Sequence, residues 1–184
     1  MNTPLLQALP ALLLSIASVL IPAQAQAERG DLTASLKFAQ VQADKFSFDD
    51  GSSVPLKGET GFGLAIGYEY DANWTAEFQV LKSSAKGEAN FSNATIDEMS
   101  MGVFAVYRTT RELSSPYFIG KIGFTKSDTE LKANGATAKG DESGLSYGAG
   151  AGYQYTERLA FEAEYYVDSD VFSYIMVSAR YHIQ

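Results

Sequence analysis

Eight segments of this chain alternate apolar with small or polar residues at period two, and that pattern selects strands over helices as the building element. The apolar rows are Leu32–Ala34–Leu36–Phe38, Phe62–Leu64–Ile66–Tyr68–Tyr70, Trp74–Ala76–Phe78–Val80 and Met99–Met101–Val103–Ala105–Tyr107. They continue with Phe118–Ile122–Phe124, Leu145–Tyr147–Ala149–Ala151–Tyr153–Tyr155, Leu159–Phe161–Ala163–Tyr165 and Ile175–Val177–Ala179–Tyr181–Ile183. Successive side chains of a strand point to opposite faces, so each segment has one apolar face and one polar or small face. In the fourth, Phe104 and Val106 blur the second face. Most of the segments come within a residue or two of the roughly 9–11 residues that cross a bilayer at a tilt.

The connections are segregated by length. Residues 40–59, 83–95 and 126–142 read as long polar loops, with a shorter connection at 109–115. Asp71-Ala72-Asn73, Thr156-Glu157-Arg158 and Asp168-Ser169-Asp170 are short. Long and short alternate, except that the last is short where a long one is expected. Membrane barrels have short turns at the periplasmic end and longer loops outside, and a soluble sandwich has no reason to sort its loops in this way. The fold expected is all-β: an eight-stranded antiparallel up-and-down transmembrane β-barrel.

The first 27 residues contain no charged side chain, and Ala11–Ile21 is an uninterrupted run of apolar and small residues. Eleven residues fall short of the ~20 that a spanning helix needs. The run is followed by Pro22-Ala23-Gln24-Ala25-Gln26-Ala27, where small residues alternate as a signal peptidase requires. Residues 1–27 are therefore expected to be a cleaved signal peptide, cut after Ala25 or Ala27, and residues 28–184 the barrel domain. No Lys or Arg precedes the apolar run.

Composition narrows the chemistry. There is no Cys and one His, His182, which excludes thiol chemistry, disulfides and any metal site needing two imidazoles. The net charge of -8 argues against nucleic acid as a partner. No nucleophile–base–orienter set can be assembled around His182, so no catalytic, cofactor or metal site is expected, and the chain does not read as an enzyme. Glu162-Ala163-Glu164 puts two carboxylates on one face, but among basic residues.

Two sets of residues stand out. Tyr68, Tyr70, Trp74, Tyr107, Tyr153, Tyr155 and Tyr181 fall near the short-turn ends of their strands, as an aromatic girdle at headgroup level would. With the apolar rows facing lipid, the opposite rows carry Lys37, Arg108, Lys121 and Arg180 together with Glu69, Glu77, Glu162 and Glu164. Four cations and four anions would share an interior barely wide enough for side chains. Pairing is expected, with Arg180 opposite Glu162 or Glu164 as the first choice, because unpaired buried charge is costly. Gly61, Gly63, Gly67, Gly148, Gly150 and Gly152 on the same faces leave room for long side chains.

The leader, the eight alternating segments, Gly148-Ala149-Gly150-Ala151-Gly152-Tyr153 and the closing Ser178-Ala179-Arg180-Tyr181 resemble the small outer-membrane β-barrel family, which includes OmpA-like transmembrane domains, OmpX-like proteins and porin-family barrels. The resemblance covers the whole of residues 28–184. It implies a Gram-negative outer-membrane location, contact with outer-membrane lipid and lipopolysaccharide, a monomer, and dependence on periplasmic chaperones and the barrel-assembly machinery. In this family the last strand usually ends on an aromatic residue; here Tyr181 lies three residues before the end. The function expected is a structural or surface-interaction, adhesion-like role with a charge-plugged lumen. The alternative is a small porin passing ions or very small solutes. A third reading, a secreted barrel holding a ligand, requires the opposite assignment of faces.

Overall fold

The structure, a computed structural model, describes residues 30–43, 45–47, 53–87, 94–110, 112–133, 136–168 and 172–183. Residues 1–27, expected to be a signal peptide, lie outside them. Ten strands follow in chain order: β1 (Leu32–Ala43), β2 (Lys45–Ser47), β3 (Ser53–Gly58), β4 (Thr60–Glu69), β5 (Trp74–Gly87), β6 (Thr95–Arg108), β7 (Pro116–Ala133), β8 (Ala136–Gln154), β9 (Leu159–Val167) and β10 (Phe172–Ile183). Among the described residues there is no helix.

Eight of the ten close a ring. The antiparallel order is β1–β4–β5–β6–β7–β8–β9–β10, and β10 pairs back onto β1 from Leu32↔Ile183 to Ala43↔Phe172. Closure removes the unpaired edges that an open sheet would expose, which a wall surrounded by lipid requires. These eight are the eight segments read from the sequence.

All eight apolar rows point outward. Phe118 and Phe124 are more than two-thirds exposed, while the Lys37, Arg108 and Arg180 side chains are at most 1% exposed. The molecule is thus inverted relative to a water-soluble barrel: apolar outside, charged inside. Gly150 and Gly152 show why small residues line part of the inner face. A Cβ on Gly150 would stand 2.2 Å from the Ala163 carbonyl oxygen, and one on Gly152 would stand 2.4 Å from the Tyr117 ring.

The segments read as long loops are largely strand. β1 runs on to Ala43, and β2 and β3 form a hairpin that pairs onto β5 at Leu56↔Gly87. β5 extends to Gly87 and pairs with β6 from Lys86↔Thr95. Residues 126–142 continue the β7–β8 pairing without a break, up to Ala133↔Ala136. Polar residues stand on both faces of this segment, and the Asn-Gly pair at 134–135 in the sequence is a strong short-range hairpin signal. Strand structure carries on above the apolar band because cross-strand pairing there satisfies the backbone without apolar side chains. β9 pairs with β8 only between Tyr147↔Val167 and Gln154↔Ala160, so the wall is tall on the β5–β8 side and low at β9 and β10.

Candidate functional site: the filled lumen

Alternation in β1, β4, β5, β6, β7, β9 and β10 turns all eight charged residues singled out above inward, and all eight are buried. They sort into two groups. Towards the short-turn end, Glu162 is the hub. Arg108 donates to it through Nε (2.8 Å to Oε1) and Nη2 (3.2 Å to Oε2). Arg180 Nε donates to the same Oε1 at 3.0 Å, and Tyr117 Oη at 2.8 Å. Arg180 Nη1 reaches Glu69 Oε1 at 2.8 Å, and Arg108 Nη1 reaches Thr75 Oγ1 at 3.0 Å. The planar guanidinium fork suits such shared acceptance, since each donor lies in a fixed direction.

The second group lies further along the axis. Lys37 Nζ is 2.8 Å from Glu77 Oε1 and 3.5 Å from Glu164 Oε1. Lys121 Nζ faces the same two carboxylates at 3.4 and 3.7 Å and donates to Gln79 Oε1 at 2.9 Å. Arg180 therefore pairs with Glu162, while Glu164 belongs to the lysines. The eight formal charges cancel within this network, so none of it depends on an external counter-ion.

Above the charges lies a layer that the alternation did not announce. Lys121 Nζ sits 4.4 Å from the centre of the Phe104 ring and 4.9 Å from that of Tyr166. Phe104 meets Tyr166 edge-on, and Tyr166 stacks on Tyr174 with centroids 5.8 Å apart. Leu81, Ile96 and Met176 are buried in the same apolar cluster. The hydroxyls of the two tyrosines end on carboxylates: Tyr166 donates to Asp168 Oδ1 at 2.6 Å, and Tyr174 donates to Glu98. Ser83 joins Glu98 at 3.1 Å, and Ser127 joins Asp168 at 2.9 Å. Sequence reasoning missed Glu98, Asp168, Tyr117 and Gln79. The signal for Phe104 was present, as the apolar residue on the wrong face of its strand.

The seven girdle candidates all lie on the outward face towards one end of the barrel. Trp74 and Tyr107 are directly opposite each other on β5 and β6, with ring centres 5.0 Å apart. His182 also lies at this end, its Nδ1 3.5 Å from Glu69 Oε2. Asp31, Glu69 and His182 bring three ligand-type atoms within 4.8 Å of one another. The Arg180 guanidinium on Glu69 opposes a metal cation there. At the far end, hydrogen bonds from Lys139 and Lys132 hold the Glu130 carboxyl below its usual range.

A closed eight-stranded antiparallel wall with an apolar exterior and a buried charge network inside defines a transmembrane β-barrel of the outer-membrane type. The outer membrane protein beta-barrel domain family matches residues 11–180, and the chain belongs to that family. Similar solved structures include OprG from Pseudomonas aeruginosa, 18% identical with a TM-score of 0.63, covering 85% of this chain and 98% of that one. Neisserial surface protein A (NspA) is 16% identical, with a TM-score of 0.58 and coverage of 86% and 99%. Ail, the attachment invasion locus protein of Yersinia pestis, is 16% identical, with a TM-score of 0.56 and coverage of 84% and 99%. Identities this low show a shared fold and nothing finer. No curated protein sequence matches the chain significantly.

Proposed function

We propose that this outer-membrane barrel has a structural or surface-interaction role, with a lumen closed to solutes, and that residues 1–27 are removed on export. The carrying observation is the two-part filling: a charge-balanced network at one level and the Phe104–Tyr166–Tyr174 layer at another. An ion entering would have to break buried charge pairs and then displace packed rings. The tall β5–β8 wall supports the surface role, because it carries polar residues well beyond the apolar band. Ail, of similar fold, is named for attachment and invasion and was solved with the heparin analogue sucrose octasulfate. A non-enzymatic role agrees with the placement of His182 beside Glu69 and Arg180, in a structural cluster.

Conductance in planar bilayers tests this reading. The folded barrel, identified by heat-modifiable gel mobility, is expected to give no steady conductance above the bare bilayer. Defined single-channel steps from the wild type would instead establish the small porin. Mass measurement of the exported protein is expected to place its first residue after Ala25 or Ala27.

A further inference from the structure

The pairing of the wall leaves one long edge open. On one side β8 pairs with β7 in a single register from Pro116↔Tyr153 to Ala133↔Ala136, with no bulge. On its other side it pairs with β9 only as far as Tyr147↔Val167. Among the described residues, no strand pairs with that side of 136–146. Residues 136–145 are exposed on both faces. An unpaired edge is a row of unused backbone donors and acceptors, ready to take a further strand. Hydrogen-bond parity identifies the residues that serve it. Gln154 N donates to Ser115 O, towards β7, while Tyr155 N donates to Leu159 O, towards β9. Neighbouring residues of a strand direct their backbone groups to opposite sides. The open edge is therefore served by Thr137, Lys139, Asp141, Ser143 and Leu145.

Charge selects the partner. Asp141 stands directly opposite Asp128 of β7, and like charges so placed weaken a sheet. The closest cation to Asp141 among the described residues is Lys126 Nζ, at 3.9 Å. A cation on the open side of β8 would offset this repulsion, and the edge itself carries one, Lys139, which rests on Glu130 at 2.8 Å. When two such edges pair antiparallel, hydrogen-bonded pairs join only residues that serve the edge. The axis between the copies then passes through a residue, not between residues. An axis at Lys139 or at Asp141 sets identical charges against each other. An axis at Gly140 sets each Lys139 against the Asp141 of the second copy and each Thr137 against its Ser143. A Cβ on Gly140 would meet no heavy atom within 4 Å, so the approach is clear at the axis.

We propose that the open edge of β8 pairs antiparallel with the same edge of a second copy of this chain in a facing membrane, with the axis at Gly140. The inference rests on the surface-interaction reading and deepens it by naming the partner. The pairing joins the two walls through roughly eight backbone hydrogen bonds. On the outer face it places each Lys139 between its own Glu130 and the second copy's Asp141, so both Asp128–Asp141 repulsions are offset. Two copies in one membrane send β8 towards the same side at the same tilt, so their edges cross and do not run antiparallel. Copies whose outer ends face each other meet the requirement. The edge also stands beyond Leu145, the last apolar residue of its outward row, clear of the lipid-facing band.

The chain has no Cys, so a single introduced thiol reports the register. The exported barrel carrying Gly140→Cys is folded into two vesicle populations, one of them tagged, which are mixed and treated with copper phenanthroline as a mild oxidant. Facing residues at the axis stand about 4.5 Å apart at Cα, within reach of a disulfide. Dimers joining tagged to untagged chains are expected. Gly144→Cys, at an equally open position, places its thiols roughly 27 Å apart in this register and is expected to give about tenfold less. Adding Lys139→Asp or Asp141→Lys to Gly140→Cys sets like charges together twice and is expected to cut the yield about fivefold. With one charge variant in each population the yield is expected to return, because each supplies the charge that the other lacks. Heat-modifiable mobility checks that every variant is folded. The wild type, without any substitution, is expected to aggregate vesicles that bear it, less so as salt rises, and to leave bare vesicles dispersed. Equal yields from Gly140→Cys and Gly144→Cys, dimers confined to one population, or no recovery on mixing the charge variants would each overturn the proposal. Conducting barrels that still cross-link would fault the closed lumen and support the edge pairing, whereas closed barrels that do not cross-link would overturn the edge pairing alone.

Discussion

Glu162→Gln is the substitution with the most to reveal about the lumen. It keeps the size of the side chain and one acceptor oxygen, but removes a charge shared by two guanidiniums. Arg180 retains Glu69 at 2.8 Å. Arg108 keeps its hydrogen bond to the neutral Thr75 Oγ1, and it is 1% exposed. Breaking a buried pair by removing one partner typically costs about 3–5 kcal/mol, because the surviving charge stays buried. Most of that falls on Arg108 here, so the lower end, about 3 kcal/mol, is expected. Arg108→Gln in the same background removes the stranded charge, and the pair should show a coupling of about 2 kcal/mol or more in a double-mutant cycle. Reversible denaturant unfolding in lipid vesicles supplies the energies, followed by gel mobility and by fluorescence of Trp74, the only Trp in the chain. The coupling should change little with salt, since ions screen buried pairs poorly. Single variants near wild-type stability with no coupling would refute the reasoning, because they would require a wet, screened lumen.

Other outcomes follow from the same geometry. Ala76→Arg, Val103→Arg and Ala149→Arg each put a cation on the outward face and should cost about 2–4 kcal/mol near the bilayer midplane; neutrality of all three in vesicle unfolding would show that these faces do not meet lipid. Gly150→Val should sharply reduce the heat-modifiable fraction, because its first side-chain carbon would stand 2.2 Å from the Ala163 carbonyl oxygen and only backbone could yield; a normal yield of folded protein would contradict the close approach of β8 and β9. Glu98→Gln should behave unlike Glu162→Gln and stay within about 1 kcal/mol of wild type, since the amide can still accept from Tyr174 and Ser83 and no cation is stranded. A large loss would reveal a cationic role for the region around Glu98.

The amino-acid sequence by itself determined the faces. Pleating sends neighbours to opposite sides, so once Phe62, Leu64 and Ile66 face lipid, Gly63 and Ala65 must face the lumen, and Lys37, Glu77 and Arg180 are turned inward by parity alone. The number of barrel strands follows from the same count, whereas the buried carboxylates Glu98 and Asp168 add to the lumen charge and were not read from it. Parity does not say at what height a residue lies. Tilt and closure decide that, and they bring Arg108 of β6, Glu162 of β9 and Arg180 of β10 to one level while sending Glu164, two residues from Glu162, to the lysines. The aromatic layer has the same origin: Phe104, Tyr166 and Tyr174 come from three strands and meet only because the wall curves back on itself. The tall wall was hidden for a different reason. Above the lipid, strands are held by backbone pairing between β7 and β8, and polar side chains on both faces erase the apolar contrast by which a strand is read. Which charge meets which, and how far the wall rises, belong to the closed ring, because distances across the lumen are set by the circumference and not by separation along the chain.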